Sequence, residues 1–131
     1  MVKRPWKHSN LKQSLRGALG GIRLAFATER YARILFFMGI FTIMIGIILD
    51  ISALELTLLI IVITGACVCE IFNTLVENFL DILIPKNDVD VRALKDMSSA
   101  AVLLASVGAF IVAEIILLPK IVLLWKNYLA K

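Results

Sequence analysis

Four polar side chains recur at helical spacing inside an apolar stretch of the sequence. Glu70 is followed by Asn73, Glu77 and Asp81 at offsets of three, seven and eleven residues. At about 100° per residue, these offsets fall within about 80° of one another on one helix face. Carboxylates in a membrane helix are costly unless they face a metal ion, a partner charge or water. The spacing therefore predicts a functional acidic stripe (Glu70, Asn73, Glu77 and Asp81).

Other ionisable or hydroxyl side chains are expected at the same end of the helices. They are Glu29, Arg33, Asp88, Asp90, Lys95, Asp96 and Ser99. Mg²⁺ typically takes one or two protein carboxylates and completes its shell with phosphates and water. Lys95 can neutralise phosphate charge as a point cation, and a deeper carboxylate such as Glu70 could accept a proton from a hydroxyl group. These are the parts needed for phosphoryl transfer from a nucleotide to a lipid alcohol.

Simpler roles explain some of these residues equally well. Glu29 and Arg33 can form an i,i+4 ion pair at a helix end, and Asp96 can stabilise a helix N-terminus. The sequence contains neither the phosphate-binding motif G-x-x-x-x-G-K-[ST] nor a protein-kinase catalytic loop. The residues alone therefore do not separate a lipid kinase from a small membrane channel or transporter subunit that uses the acidic stripe as an ion path.

The composition excludes an ordinary soluble domain. Hydrophobic residues make up 60% of the chain and the mean hydropathy is +0.92, so much of the apolar surface is expected to lie in lipid. Eight of the fourteen Lys and Arg residues lie in residues 3–33, beside one acidic residue. This distribution favours anionic lipid headgroups as a partner. No nucleic-acid partner is expected, because basic and aromatic residues do not interleave.

The hydropathy pattern predicts one domain, residues 1–131, with three membrane-spanning helices. The spans are expected at about residues 34–49, 56–83 and 97–118, with Pro119 ending the third and a polar turn over residues 85–92. An amphipathic surface helix is expected over about residues 10–30. Basic residues before the first span and in the polar turn place both on the cytoplasmic side. Small residues in the third span favour close helix contacts and a homo-oligomer.

Two motifs resemble those of the small bacterial diacylglycerol kinase and undecaprenol kinase family. Residues 70–81 read EIFNTLVENFLD, similar to the family's E-x-x-N-[ST]-[AL]-[IV]-E-x-x-x-D. Residues 95–102 read KDMSSAAV, similar to K-D-x-x-[SA]-[AG]-A-V, and residues 25–33 resemble the family's first-helix segment. The resemblance extends over about residues 10–122. The departures from the family pattern are Asn10, Gly17, Leu35 and Ser98.

The resemblance implies both a fold and an activity. The implied fold is an all-α integral membrane protein, with three transmembrane helices, an N-terminal amphipathic surface helix and a homotrimer with shared active sites. The implied location is the bacterial inner membrane, as a multi-pass protein with the active site on the cytoplasmic face. The implied activity is a lipid kinase that uses ATP and Mg²⁺ to phosphorylate diacylglycerol or undecaprenol.

The resemblance also implies roles for individual residues. Glu70 would be the general base for the lipid hydroxyl, and Glu29 and Glu77 would hold Mg²⁺ against the ATP phosphates. Asn73 and Asp81 would support that site. Besides the two metal ligands, the residues that would contact nucleotide are Lys86, Asn87, Asp88, Lys95 and Asp96. Besides Glu70, the residues that would contact the lipid are Arg33 and Ser99.

Overall fold

The computed structural model describes residues 10–84 and 88–130 of the chain. The described residues form four helices and short connections: α1 (Leu11–Thr28), α2 (Arg30–Ile48), α3 (Ala53–Leu83) and α4 (Val89–Leu129). Helices α2, α3 and α4 are each long and apolar enough to cross a membrane. The predicted all-helical chain with three apolar helices is therefore confirmed for the part that the structure describes.

Polar side chains determine where three of the helices begin. The side chain of Asn10 accepts a backbone hydrogen bond in the first turn of α1. Ser52 and Glu55 form a reciprocal capping box at the start of α3. Asp88 caps α4, which begins at residue 89. These caps satisfy backbone N–H groups that have no partner within the helix. The predicted polar turn over residues 85–92 is therefore wrong from residue 89 onward, because Asp88 starts a helix there.

Helix α4 continues through Pro119 to Leu129, so the helix itself does not end at this proline. A proline removes one backbone hydrogen bond and crowds the preceding turn, but contacts with neighbouring helices can make up for this loss. Leu117, two residues before the proline, lies in the buried core. Lys120, just after it, donates from Nζ to the backbone carbonyl of Asp50 at 3.3 Å. Both sides of the proline are thus held against the turn between α2 and α3.

The buried core lies at the end of the bundle where α2 leads into α3. Leu59 of α3 is completely buried and forms a cluster with Ile116 and Leu117 of α4. Apolar side chains of α2 and the α2–α3 turn pack around this cluster. Many other apolar side chains of the long helices are exposed in the single chain; Leu104, for example, is 74% exposed. Such surfaces are suited to lipid or to another subunit.

Two buried glycines allow α2 to approach its neighbours closely. A Cβ atom at Gly46 would lie 2.7 Å from Cδ1 of Ile51, and a Cβ atom at Gly39 would overlap Cγ2 of Ile63. These separations are shorter than van der Waals contact, so a larger residue at either position requires the neighbour to move. The glycines therefore set how closely α2 packs against α3, through Gly39, and against the α2–α3 turn, through Gly46.

We expect Gly39→Ala to lower the free energy of unfolding by about 1–3 kcal/mol, because the added methyl overpacks this contact. Ile63→Ala removes the opposing methyl, so the two substitutions should be coupled in a double-mutant cycle. The measurement is detergent-induced unfolding followed by circular dichroism. Gly21→Ala is the matched control, since a Cβ atom there meets nothing within 4 Å. Equal losses for both glycine variants would contradict the close contact.

Candidate active site

Two carboxyl groups from different parts of the chain lie within electrostatic range of a third, buried carboxyl group in α3. Glu70 lies in α3 and is buried, with 6% of its surface exposed. The charges of Glu29, at the α1–α2 junction, and Glu77, two turns further along α3, both act on the Glu70 carboxyl. A buried acid with two further acids in electrostatic range is costly without a compensating ligand. This convergence marks the candidate site.

The acidic stripe lies entirely within α3, and its exposure increases toward the end of that helix. Glu70 is buried, Asn73 and Glu77 are half-buried, and Asp81 is exposed. Nδ2 of Asn73 donates to Oε1 of Glu77 at 3.1 Å, as expected for residues one turn apart on one face. Since α3 is one continuous helix, Glu70 lies about 10 Å deeper along its axis than Glu77. The stripe therefore has a buried end and an open end.

The amide of Asn73 also provides an unused acceptor. Its Oδ1 atom is buried and has no hydrogen-bond partner within the described structure. Leaving a buried acceptor unsatisfied costs about 1–3 kcal/mol, so a donor or cation suits this position. Amide and carboxylate oxygens are the ligands that Mg²⁺ prefers. The side-chain oxygen atoms of Asn73, Glu77 and Glu29 therefore have the chemistry that suits a hard divalent cation.

Within residues 10–84 and 88–130, no three His, Cys, Asp or Glu side chains are grouped closely enough to hold a metal ion between them. Mg²⁺ typically takes one or two protein carboxylates and fills its remaining positions with phosphates and water, so a Mg²⁺ site need not contain three such side chains.

Glu29 is the single residue between α1 and α2. Its backbone is extended, with φ −103° and ψ 120°, and its N–H donates to the carbonyl of Ala25 at 2.8 Å. Its side chain does not cap α2. Instead of pairing with Glu29, Arg33 donates from Nη1 to the carbonyls of Phe26 at 2.6 Å and Ala27 at 3.3 Å. The Glu29 carboxylate is therefore not engaged as a helix cap or as the partner of Arg33.

An ion pair joins the ends of α3 and α4. Nζ of Lys95 donates to Oδ1 of Asp81, across the connection between the two helices. Lys95 is half-buried in this pair, while Asp81 and the neighbouring Asp96 are exposed. Ser99 lies one turn further along α4 and donates from Oγ to the backbone carbonyl of Lys95 at 3.1 Å. The predicted site residues of α4 are therefore grouped around Lys95.

Of the three predicted nucleotide contacts between α3 and α4, the structure describes Asp88 alone. Asp88 uses its side chain to cap α4, by accepting a hydrogen bond from the backbone of Asp90 at 2.8 Å. Lys86 and Asn87 lie outside the described residues.

Reasoning from the sequence missed the contact of Arg33 with the end of α1. Helical spacing relates residues three or four apart, whereas Arg33 reaches a carbonyl seven residues earlier across a break in the helix. The ring contact between Phe26 and Phe36, with centroids 5.0 Å apart, crosses the same break. One signal was available in the sequence. The last turn of α1 has no basic residue, so its carbonyls need a cation from another segment.

Comparison with known proteins gives two matches. The sequence profile of prokaryotic diacylglycerol kinase matches residues 16–117. Over 119 residues the chain is 33% identical to a protein from Synechocystis sp. named diacylglycerol kinase, covering 89% of this chain and 68% of that protein. The matched region includes every member of the acidic stripe, together with Glu29, Lys95 and Asp96.

We expect the interaction between Asp81 and Lys95 to contribute no more than about 1 kcal/mol to the free energy of unfolding, because exposed ion pairs are well solvated. A double-mutant cycle with Asp81→Asn and Lys95→Met, measured by detergent-induced unfolding, gives this coupling. The coupling should shrink as salt is added. A coupling above about 2 kcal/mol that resists salt would contradict an exposed pair and indicate that a second subunit covers it.

Proposed function

This chain belongs to the prokaryotic diacylglycerol kinase family, and from that premise we propose that it moves the γ-phosphoryl group of ATP to the hydroxyl of diacylglycerol or undecaprenol in a Mg²⁺-dependent reaction. Membership of this family makes the chain a lipid kinase. The observation that carries the finer proposal is the buried Glu70 carboxyl with Glu29 and Glu77 in electrostatic range.

Glu70 is the proposed general base. It lies about 10 Å deeper along α3 than Glu77, on the side of the apolar part of the helix. A lipid hydroxyl enters from the membrane, so a buried acid is better placed to meet it than an exposed one. Ser99, one turn beyond Lys95 on α4, is the proposed lipid contact. This arrangement would bring the acceptor hydroxyl to the deep end of the acidic stripe.

Glu29 and Glu77 are the proposed Mg²⁺ ligands, with Oδ1 of Asn73 as a further oxygen donor. The hydrogen bond from Asn73 to Glu77 orients the Glu77 carboxylate, while the unpaired Oδ1 remains free to bind. When bound, Mg²⁺ would neutralise the charge of the ATP phosphates. This division leaves Glu70 free for proton transfer.

Lys95 and Asp96 are the proposed nucleotide contacts on α4, together with Lys86, Asn87 and Asp88 before it. In the structure Lys95 is paired with Asp81. An exposed pair of this kind is weak, so a phosphate oxygen can take the place of the Asp81 carboxylate. Asp81 would hold the ammonium group in position until nucleotide arrives.

The proposed reaction is a direct in-line transfer. The lipid hydroxyl oxygen forms a bond to the γ-phosphorus, and the bond from that phosphorus to the bridging β,γ-oxygen breaks. The hydroxyl proton goes to Glu70, and ADP leaves with the bridging oxygen. Catalysis of this kind depends mainly on positioning and charge neutralisation.

We also propose that the protein is a homotrimer in the bacterial inner membrane, with this site at the cytoplasmic face. Eight of the fourteen Lys and Arg residues precede residue 34, on the same side of the first span as Glu29. Helix α1 exposes Leu11, Leu15 and Leu19 beside Lys12 and Arg16, which suits an amphipathic helix on an anionic membrane surface. The exposed apolar side chains of the long helices supply surface for subunit contacts.

We expect Glu70→Gln to reduce lipid phosphorylation by about 10²–10⁴-fold, because the amide cannot accept the hydroxyl proton. The assay uses purified protein and radiolabelled ATP, with diacylglycerol and undecaprenol tested side by side. Glu114→Gln, an exposed acid on α4, is the matched control and should retain activity. Retention of full activity by Glu70→Gln would contradict its role as the base. Ion flux through liposomes without phosphorylation of either lipid would favour an ion path instead.

We expect Glu77→Gln to raise the Mg²⁺ concentration for half-maximal activity by roughly tenfold or more, since an amide is a weaker ligand than a carboxylate. Asn73→Leu should act in the same direction, because it removes both Oδ1 and the hydrogen bond to Glu77. The measurement is a Mg²⁺ titration at saturating ATP. Asp50→Asn is the control, because it lies in the distant α2–α3 turn and Asn tolerates the φ of 51° found there. An unaltered Mg²⁺ dependence in Glu77→Gln would rule out a ligand role.

A further inference from the structure

The junction between α1 and α2 contains a contact that the proposed reaction does not use. The last turn of a helix leaves backbone carbonyls without partners inside the helix, and α1 has no basic residue in its last turn. Arg33, in the first turn of α2, supplies the missing donor. Its Nη1 atom donates to the carbonyls of Phe26 and Ala27 at 2.6 and 3.3 Å. A cation at the C-terminus of a helix also interacts favourably with the helix dipole.

A second contact crosses the same junction. The rings of Phe26 in α1 and Phe36 in α2 meet edge-on, with centroids 5.0 Å apart and an interplanar angle of 66°. Together with the hydrogen bonds of Arg33, this ring pair forms the α1–α2 clamp (Arg33, Phe26, Ala27 and Phe36). The clamp uses one polar and one apolar contact to fix how α1 is oriented against α2.

Glu29 is the residue that the clamp encloses. It is the single residue between the helices and has an extended backbone, so the direction of its side chain follows from the relative orientation of α1 and α2. Its side chain does not form a capping hydrogen bond with α2. The carboxylate nevertheless lies close enough to Glu70 for its charge to act there. The clamp joins the helices on both sides of Glu29, so it constrains the backbone that carries this carboxylate.

We propose that Arg33 is a positioning residue, which holds Glu29 in the orientation required of a metal ligand by capping the end of α1. The proposal rests on the proposed function, because it takes Glu29 as a ligand of Mg²⁺. It differs from a role as a lipid contact, in which Arg33 would bind the acceptor directly. The two roles separate experimentally, because a positioning residue changes the metal dependence and a lipid contact changes the KM for the lipid.

The kinetic test compares Arg33→Met, Arg33→Lys and wild type. Residues that orient a metal ligand typically change metal affinity about 10–100-fold, so Arg33→Met should raise the Mg²⁺ concentration for half-maximal activity by at least tenfold, with little change in the lipid KM. Arg33→Lys should recover part of this loss, because an ammonium group can donate to a carbonyl but lacks the fork of the guanidinium. Arg30→Met is the matched control, since it removes an exposed arginine from the same turn of α2.

A second measurement does not depend on activity. Hydrogen exchange, followed by mass spectrometry on peptides that cover residues 22–33, is compared between wild type and variants without nucleotide or metal. The N–H of Glu29, which donates to Ala25, should exchange faster in Arg33→Met but not in Arg30→Met. Phe36→Leu weakens the clamp without touching a charge, so it should accelerate the same exchange and raise the Mg²⁺ requirement in the same direction.

The outcomes separate this proposal from the proposed function. A higher lipid KM in Arg33→Met, with unchanged Mg²⁺ dependence and unchanged exchange, would overturn the positioning role in favour of a lipid contact. Unchanged exchange in both Arg33→Met and Phe36→Leu would also overturn it. A wild-type protein that phosphorylates neither lipid would contradict the proposed function, and the exchange comparison would still decide whether Arg33 holds the junction.

Discussion

The burial of a carboxyl group in an apolar helix is the constraint on which the rest of this structure depends. Glu70 is 6% exposed in α3, a helix long and apolar enough to cross a membrane. Such burial costs free energy unless the group meets a proton, a cation or a polar partner. Two further acids lie within electrostatic range of this group: Glu29 from the α1–α2 junction and Glu77 from the same face of α3.

The two ends of the bundle are held by different kinds of contact, apolar at one end and polar at the other. At one end, Leu59 and its neighbours form the buried core, and glycines bring α2 close to α3. At the other end, polar side chains make contacts between elements: Lys95 of α4 with Asp81 of α3, and Arg33 of α2 with the carbonyls of α1. A site built on packed helices is held more precisely than one built on loops.

Family membership and site geometry supply different parts of the functional conclusion. The acidic stripe alone was compatible with a lipid kinase or with an ion path, since both place acids inside a membrane helix. The match over residues 16–117 decides for lipid phosphorylation. The geometry then distinguishes the residues by depth, with Glu70 buried and Asp81 exposed. Depth is the property that a family name does not supply. It is the basis on which we propose proton transfer at Glu70 and phosphate binding near the open end of the acidic stripe.

Local patterns in the sequence determined the three apolar helices, the shared face of Asn73 and Glu77, and the approximate range of α1. These features depend on periodicity and composition within one segment. Contacts between distant segments decided the rest. Helix α4 passes through Pro119 because Leu117 and Lys120 are held by α3 and the α2–α3 turn, and Lys95 meets Asp81 because two helices are adjacent. Likewise, Arg33 caps α1 across a helix break. Helical spacing cannot predict such partners, because it describes neighbours along one helix and not the approach of one helix to another.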